Sequence, residues 1–324
     1  MNAITALPLS ADMIAWLAKE LTASETADFS RTAVVFNGKR PALYLNREIA
    51  GIVGKSFFPP KYFSVDELMA YTVEQNSTKT MLGDIEAAHR VYKICQNDAP
   101  ALLHNRESFS QFLPWAKEIL RFIDLCDKEG TSGDMLANTG RNAEIGLDVP
   151  DGINDILRHL SAVRAAFHKT LEERAEATSA YRYLLAARMA EETILAEFDT
   201  VIFAGFHYLH NSEFAVANAL LRRGKARMVF LGSQDEWPLL AQNAEAFGAP
   251  IRPENETGAP PKLKLYAAKD THEQAAIARQ IIQQVSNQER TLVAMPEGAS
   301  LVPLLSEIAQ VVERLNVSLG YPIR

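Results

Sequence analysis

Two histidines flank a tyrosine in Phe206-His207-Tyr208-Leu209-His210, and their three-residue spacing could set both imidazoles on one face. Imidazoles so placed can bind metal or relay protons, but no third ligand with sensible spacing is visible nearby. The simpler assignment is a pair of structural or surface histidines, as for His104, His159 and His168 on helical segments. Lys39-Arg40, just after the run Thr32-Ala33-Val34-Val35-Phe36-Asn37-Gly38, puts two cations on a strand-end loop, and Arg47 follows one helical repeat on. That trio could meet a phosphate backbone or simply be surface charge near a turn. The run Phe57-Phe58-Pro59-Pro60-Lys61-Tyr62-Phe63 could stack bases, and reads better as a packed extended connection.

Other chemistry is conspicuous by its missing residues. A phosphate-gripping loop needs GxxxxGK[ST] between a strand and its helix, so that backbone N–H groups and one lysine surround the phosphates. The slot reads Ala6-Leu7-Pro8-Leu9-Ser10-Ala11-Asp12, with no glycine or lysine, and Pro8 removes a donor. Val201-Ile202-Phe203-Ala204 is the best strand to hold a magnesium-binding carboxylate at its end. Gly205, Phe206 and His207 follow instead, and Asp199 sits at the wrong end. Asp124, Asp127 and Glu129, or Glu172 and Glu173, sit in charged helical stretches and read as solvated, salt-bridged faces rather than paired general acids. No GxSxG, HExxH or GxGxxG occurs. No catalytic residue, metal or cofactor is therefore expected.

The elements that must position these residues follow from periodicity. Thr32–Phe36, Thr200–Ala204 and Arg227–Leu231 are short β-branched or aromatic runs, each closed by a glycine, as buried parallel strands are. Lys262–Tyr266 and Thr291–Met295 read as two more, and Ala3–Leu7 as a weaker one. Helices are predicted over Ser10–Leu21 with Ser10 as cap, and over Val65–Tyr71 with Ser64 and Glu67 as a capping box. Further helices are predicted over Asp84–Asp127 with a break near Pro100, over Ile153–Leu195, and over Glu273–Val285 and Ser300–Arg314. Gly130–Gly152 reads as a flexible stretch and Pro250–Pro261 as a linker. The expected class is α/β, in four parts. Residues 1–75 begin a parallel-sheet lobe, 76–195 form a helical insertion, 196–250 return to the sheet, and 262–324 start a second α/β lobe.

The chain has 324 residues, 48% of them hydrophobic, and a net charge of −7, so composition gives globularity but no global attraction to nucleic acid. Cys95 and Cys126 have neither redox nor zinc spacing and fit a reducing cytoplasm. No apolar run approaches the roughly 18–20 residues of a membrane span. The N-terminus has no secretory pattern.

Taken in order, these segments resemble the N-terminal helicase-like region of AddB-type (RexB-like) subunits of bacterial helicase–nuclease recombination enzymes, an inactivated superfamily I helicase. Thr32–Ala42 is similar to the segment that replaces helicase motif Ia, and Phe58–Leu68 and Phe109–Ala116 with Leu120–Asp124 are similar to two further family segments. Val201–Leu209, with Glu213, looks like a degenerate Walker B segment centred on Ala204 and Gly205. Val229–Asp235 takes the place of motif III, and Glu273 to Ala276, Arg290–Pro296 and Asn316–Pro322 complete the series. The resemblance implies a RecA-like (P-loop NTPase-like) sheet whose Walker A position, at Pro8 and Ser10, is also degenerate. It implies a non-hydrolysing scaffold in DNA double-strand-break repair, a partner helicase–nuclease subunit, and single-stranded DNA met by Lys39, Arg40, Arg47 and His207. By analogy the chain stops mid-lobe at Arg324, with the family's nuclease domain farther C-terminal. Two other readings stay open: a nucleotide- or phosphate-substrate enzyme using Gly205 and Gly232 as its crevice, and a purely protein-binding module.

Overall fold

A computed structural model of the chain describes residues 4–24, 26–136, 151–193, 195–233, 235, 237–248, 250–253 and 262–318. Two compact units divide it, Met1–Ala259 and Pro260–Arg324.

In the first unit, β1 (Ile4–Leu7) leads into α1 (Met13–Thr22), β2 (Thr32–Phe36) into α2 (Arg40–Val53), and β3 (Lys61–Ser64) into α3 (Val65–Glu74). A helical segment follows: β4 (Thr80–Met81), α4 (Asp84–Asp98), a 3₁₀ turn at Pro100–Leu103, α5 (Phe109–Lys128), α6 (Asp151–Glu173), β5 (Glu176–Ala177) and α7 (Ser179–Arg188). The chain then returns to the sheet through β6 (Thr200–Ala204), α8 (Asn211–Arg222), β7 (Ala226–Leu231), α9 (Pro238–Phe247) and β8 (Arg252–Pro253). The main sheet runs β3-β2-β6-β7-β1-β8 with every pairing parallel, while β4 and β5 pair separately.

A parallel sheet covered on both faces needs apolar residues in both alternating registers. Leu7, Val34, Phe36, Ile202, Ala204 and Val229 pack with Trp16 and Leu17 of α1 and Leu45 and Ile49 of α2. The intervening residues Ile4, Ala6, Ala33, Val35, Val201, Phe203, Met228 and Phe230 join the larger core shared with α3, α8 and the helical segment. The helical segment therefore extends the core of the sheet it interrupts.

Local signals set several boundaries. Ser64 and Glu67 form the expected capping box, and Ser108 with Gln111 forms a second one at α5. Asp12, rather than Ser10, caps α1, because Oδ1 of Asp12 accepts the Ala15 N–H at 3.0 Å. The helix predicted over Ile153–Leu195 is two helices, parted near Ala175 (φ 51°), where β5 pairs with β4. Lys61–Ser64, read from sequence as a connection, is an edge strand on β2. Residues 137–150 of the stretch expected to be flexible, and 254–261 of the expected linker, lie outside the described residues.

The second unit holds α10 (Thr271–Gln284) and α11 (Leu301–Ile308), packed through Ala275, Ile282, Leu304 and Ile308. The strands predicted at Lys262–Tyr266 and Thr291–Met295 do not form ladders among the described residues. Their leucines stay in solvent: Leu265 is 97% exposed and Leu292 88%. Alternation identifies a chain that can be a strand, but only a neighbour makes it one.

Candidate functional site

The loops at the C-terminal ends of β1, β2, β6 and β7 share one edge of the sheet, where doubly wound folds bind ligands. The degenerate Walker positions, Lys39, Arg40 and His207 lie on or beside these loops.

After β1 the chain makes a tight turn, the Ala11 N–H donating to the Pro8 carbonyl at 2.9 Å, with Ser10 near the solvent. The first turn of α1 then receives the Asp12 carboxylate as its cap. A helix start is a natural phosphate site because its N–H groups are unpaired and its dipole favours anions. Here the chain supplies that anion itself. After β6, Ala204 is 1% exposed and Gly205 has φ 76°, a left-handed conformation that suits glycine. A Cβ built on Gly205 would lie 3.0 Å from Met13 Cε and 3.3 Å from Met13 Sδ. The methionine thus packs over the strand end from the first residue of α1.

Lys39 Nζ lies 2.6 Å from Glu67 Oε1, across from the start of α3, with its side chain 77% exposed. The carboxylate beside it raises the Lys39 pKa and Lys39 in turn lowers that of Glu67, an exposed pair of small energetic weight. Arg40 opens α2, and Arg47 lies seven residues on, both exposed, on the side of α2 away from buried Leu45 and Ile49. Leu43 and Tyr44 are exposed beside them. His207 is exposed on the loop after β6, its ring 6.2 Å from that of Trp237. Lys39, Arg40 and Arg47 thus share one segment, and His207 stands on the loop of the adjacent strand.

The two histidines of the His207–His210 pair have different partners. His210 Nδ1 lies 2.5 Å from Glu129 Oε1, an atom that also accepts the Tyr208 hydroxyl at 2.6 Å. The Asn211 N–H approaches Glu129 Oε2 at 3.4 Å, and Asn211 Nδ2 donates to the Glu129 carbonyl at 3.1 Å. Burial pushes the Glu129 carboxyl up, but hydrogen bonds from Tyr208, His210 and Asn211 outweigh it and hold the group below its ordinary value. The bond to Glu129, followed by burial, lifts the Tyr208 phenol to about 12.

Glu129 ends a three-residue hub that sequence reasoning misread as a solvated face. Asp127 is 1% exposed and binds Arg164 and His168 of α6. Lys128 Nζ sits 5.0 Å from the centre of the Tyr183 ring on α7, and the Tyr183 hydroxyl donates to Asp66 Oδ1 at 2.6 Å. Glu129 holds the loop after β6. Three consecutive side chains at the end of α5 therefore reach three different elements. Glu172 is likewise engaged, by Lys79 at 2.7 Å and by the Tyr181 hydroxyl at 2.5 Å. Beside the hub, Asp124 is pushed up to about 6 by burial and then by the charge of Asp127. The mixture of Asp, Lys and Glu could not announce this, since a charged run on a solvated face has the same composition.

Among the described residues no cluster of three or more His, Cys, Asp or Glu could hold a metal ion, and no helix is long and apolar enough to cross a membrane. The class that fold and edge define is an α/β protein with an all-parallel sheet interrupted by a helical segment. Comparison with protein-family models and with curated proteins finds no match for this chain.

Proposed function

We propose that this chain is a non-hydrolysing, helicase-like region of a DNA double-strand-break repair subunit of the AddB type. It would act as a cytoplasmic scaffold for a helicase–nuclease partner and as a contact for single-stranded DNA. The parallel, doubly wound sheet is compatible with a RecA-like fold. One observation carries the reading. The crevice where such a sheet would hold a triphosphate is filled by the chain's own groups, the Asp12 carboxylate on the first turn of α1 and the Met13 side chain against Gly205. A carboxylate at that helix start repels phosphate, and a thioether over the strand end offers magnesium no oxygen ligand.

Lys39, Arg40, Arg47 and His207 are the proposed DNA contacts, because they are exposed on two neighbouring strand-end segments. The test is ATP turnover, with thermal shift in ATP–Mg²⁺, beside fluorescence anisotropy with a single-stranded oligonucleotide. Binding of the oligonucleotide without turnover or shift is expected. Turnover that is lost in a crevice variant would overturn the reading in favour of a nucleotide-substrate enzyme. Failure to bind DNA would leave a protein-binding module.

A further inference from the structure

The stretch around α2 departs from the rest of the chain in charge. Residues 39–61 hold five cations, Lys39, Arg40, Arg47, Lys55 and Lys61, against one carboxylate, Glu48. That is a net +4 in a chain whose net charge is −7. All five cations are exposed. The same helix leaves two large side chains in water, Leu43 at 72% exposure and Tyr44 at 62%. Packing does not call for either, because Leu45 and Ile49 already bury α2 against the sheet. Among the described residues nothing stacks on the Tyr44 ring or binds its hydroxyl.

The helical repeat gives the layout of this outer face. Arg40 and Arg47 fall within about 20° of one line, on the side opposite Leu45 and Ile49. Tyr44 lies about 40° to one side of Arg40, and Leu43 about 60° to the other. Tyr44 follows Arg40 by four residues and precedes Arg47 by three, the spacings at which helical side chains are neighbours.

A basic face with an exposed aromatic suits a nucleic-acid strand, an anionic membrane or an acidic protein. The layout favours the first. A helix that lies in a membrane surface gathers its apolar residues into one stripe and carries its cations on the opposite, polar face. On α2 the two guanidinium groups hold the middle, and Leu43 and Tyr44 flank them. A single strand needs this arrangement, with cations along its backbone and a flat ring beside them for a base.

We propose that a single strand runs along the outer face of α2 with a base stacked on Tyr44 and the neighbouring phosphates on Arg40 and Arg47. The inference rests on the DNA contact proposed above and adds to it a group that tells a base from a bare phosphate backbone. Every base has a stacking face, so the contact tolerates any sequence. It discriminates against duplex, whose bases are already stacked on one another.

The test is fluorescence anisotropy of a labelled single-stranded oligonucleotide with the full chain, Tyr44→Ala and Tyr44→Trp, each over a range of salt. Tyr44→Ala should weaken binding about 5- to 100-fold, with the slope of log K against log salt unchanged because no charge is removed. Tyr44→Trp keeps a stacking ring and should bind at least as tightly as the unsubstituted chain. Its added indole emission should be quenched by the oligonucleotide and not by an abasic one of the same length. The abasic oligonucleotide should bind all three proteins alike, whereas a variant that had lost its fold would lose it too. In that event the Tyr44→Trp quench decides, and no quench would refute the inference. Equal affinity of Tyr44→Ala and the unsubstituted chain for the oligonucleotide would refute the inference and leave the DNA contact standing. So would an equal loss on the abasic strand by a folded Tyr44→Ala. No binding by the unsubstituted chain would overturn both. Binding to phosphatidylserine–phosphatidylcholine vesicles in place of the oligonucleotide would assign this face to a membrane and overturn both as well.

Discussion

Asp127 and Arg164, 37 residues apart, form a sealed ion pair in which Asp127 Oδ1 accepts from Arg164 Nε at 3.0 Å and Nη2 at 2.8 Å. Arg164 Nη1 donates to the Thr131 carbonyl at 2.6 Å, and His168 Nε2 lies 2.9 Å from the other Asp127 oxygen. The Arg164 and Asp127 side chains are 7% and 1% exposed, so neither charge has water to fall back on. This pair joins α5 to α6.

Removing one partner of a buried pair strands the other charge. Asp127→Ala should therefore cost about 3–5 kcal/mol in urea unfolding, whereas Asp127→Leu with Arg164→Met should recover most of the loss. Equal losses in the single and double variants would show that the pair does not bear this energy.

Asp124 gives a pH signature. Its folded pKa of about 6 lies above its ordinary 3.8, so the native state holds this proton more tightly than the unfolded chain. Its penalty is nil below about pH 4, grows as pH rises, and is complete above about pH 6. Asp124→Asn should accordingly stabilise the chain by about 1–3 kcal/mol at pH 7, with the gain fading toward pH 4. A gain that is flat with pH would point to packing instead. Glu129 has the opposite sign. Its depressed pKa contributes stability that is present above its unfolded value and lost as acid titrates it.

Gly205→Ala should cost about 1–3 kcal/mol, since φ is 76° and an added Cβ meets Met13 Cε. The thioether end can swing aside, so Met13→Ala should not rescue the variant. Full rescue would place the cost in the side-chain clash and not in the backbone.

For the proposed DNA contacts, replacing Lys39, Arg40 and Arg47 by Ala should lower the slope of log K against log salt by about 1 for each phosphate no longer neutralised. Lys39 is tied to Glu67, so Glu67→Gln should release it and tighten binding. An unchanged slope in the triple variant would remove this segment from the interface.

Many signals carried by neighbours in the chain were legible, although Asp12 caps α1 where Ser10 was expected. The strands Thr32–Phe36 and Thr200–Ala204 lie where their apolar runs predict them, and Ser64 with Glu67 caps α3 as its four-residue pattern requires. Pairing across distance was not legible. Lys61–Ser64 became a strand because β2 was beside it, while Lys262–Tyr266, with better alternation, found no partner among the described residues.

The Asp127-Lys128-Glu129 hub shows where this limit falls for the site. The sequence determined that three charged residues would end a helix. Only the tertiary structure decided that one is sealed against Arg164, one lies over Tyr183 and one is clasped by Tyr208, His210 and Asn211. A helical repeat fixes a side chain's direction on its own element over a few residues. Burial and ion pairing depend on groups 37 to 82 residues away, brought close only when the core closes.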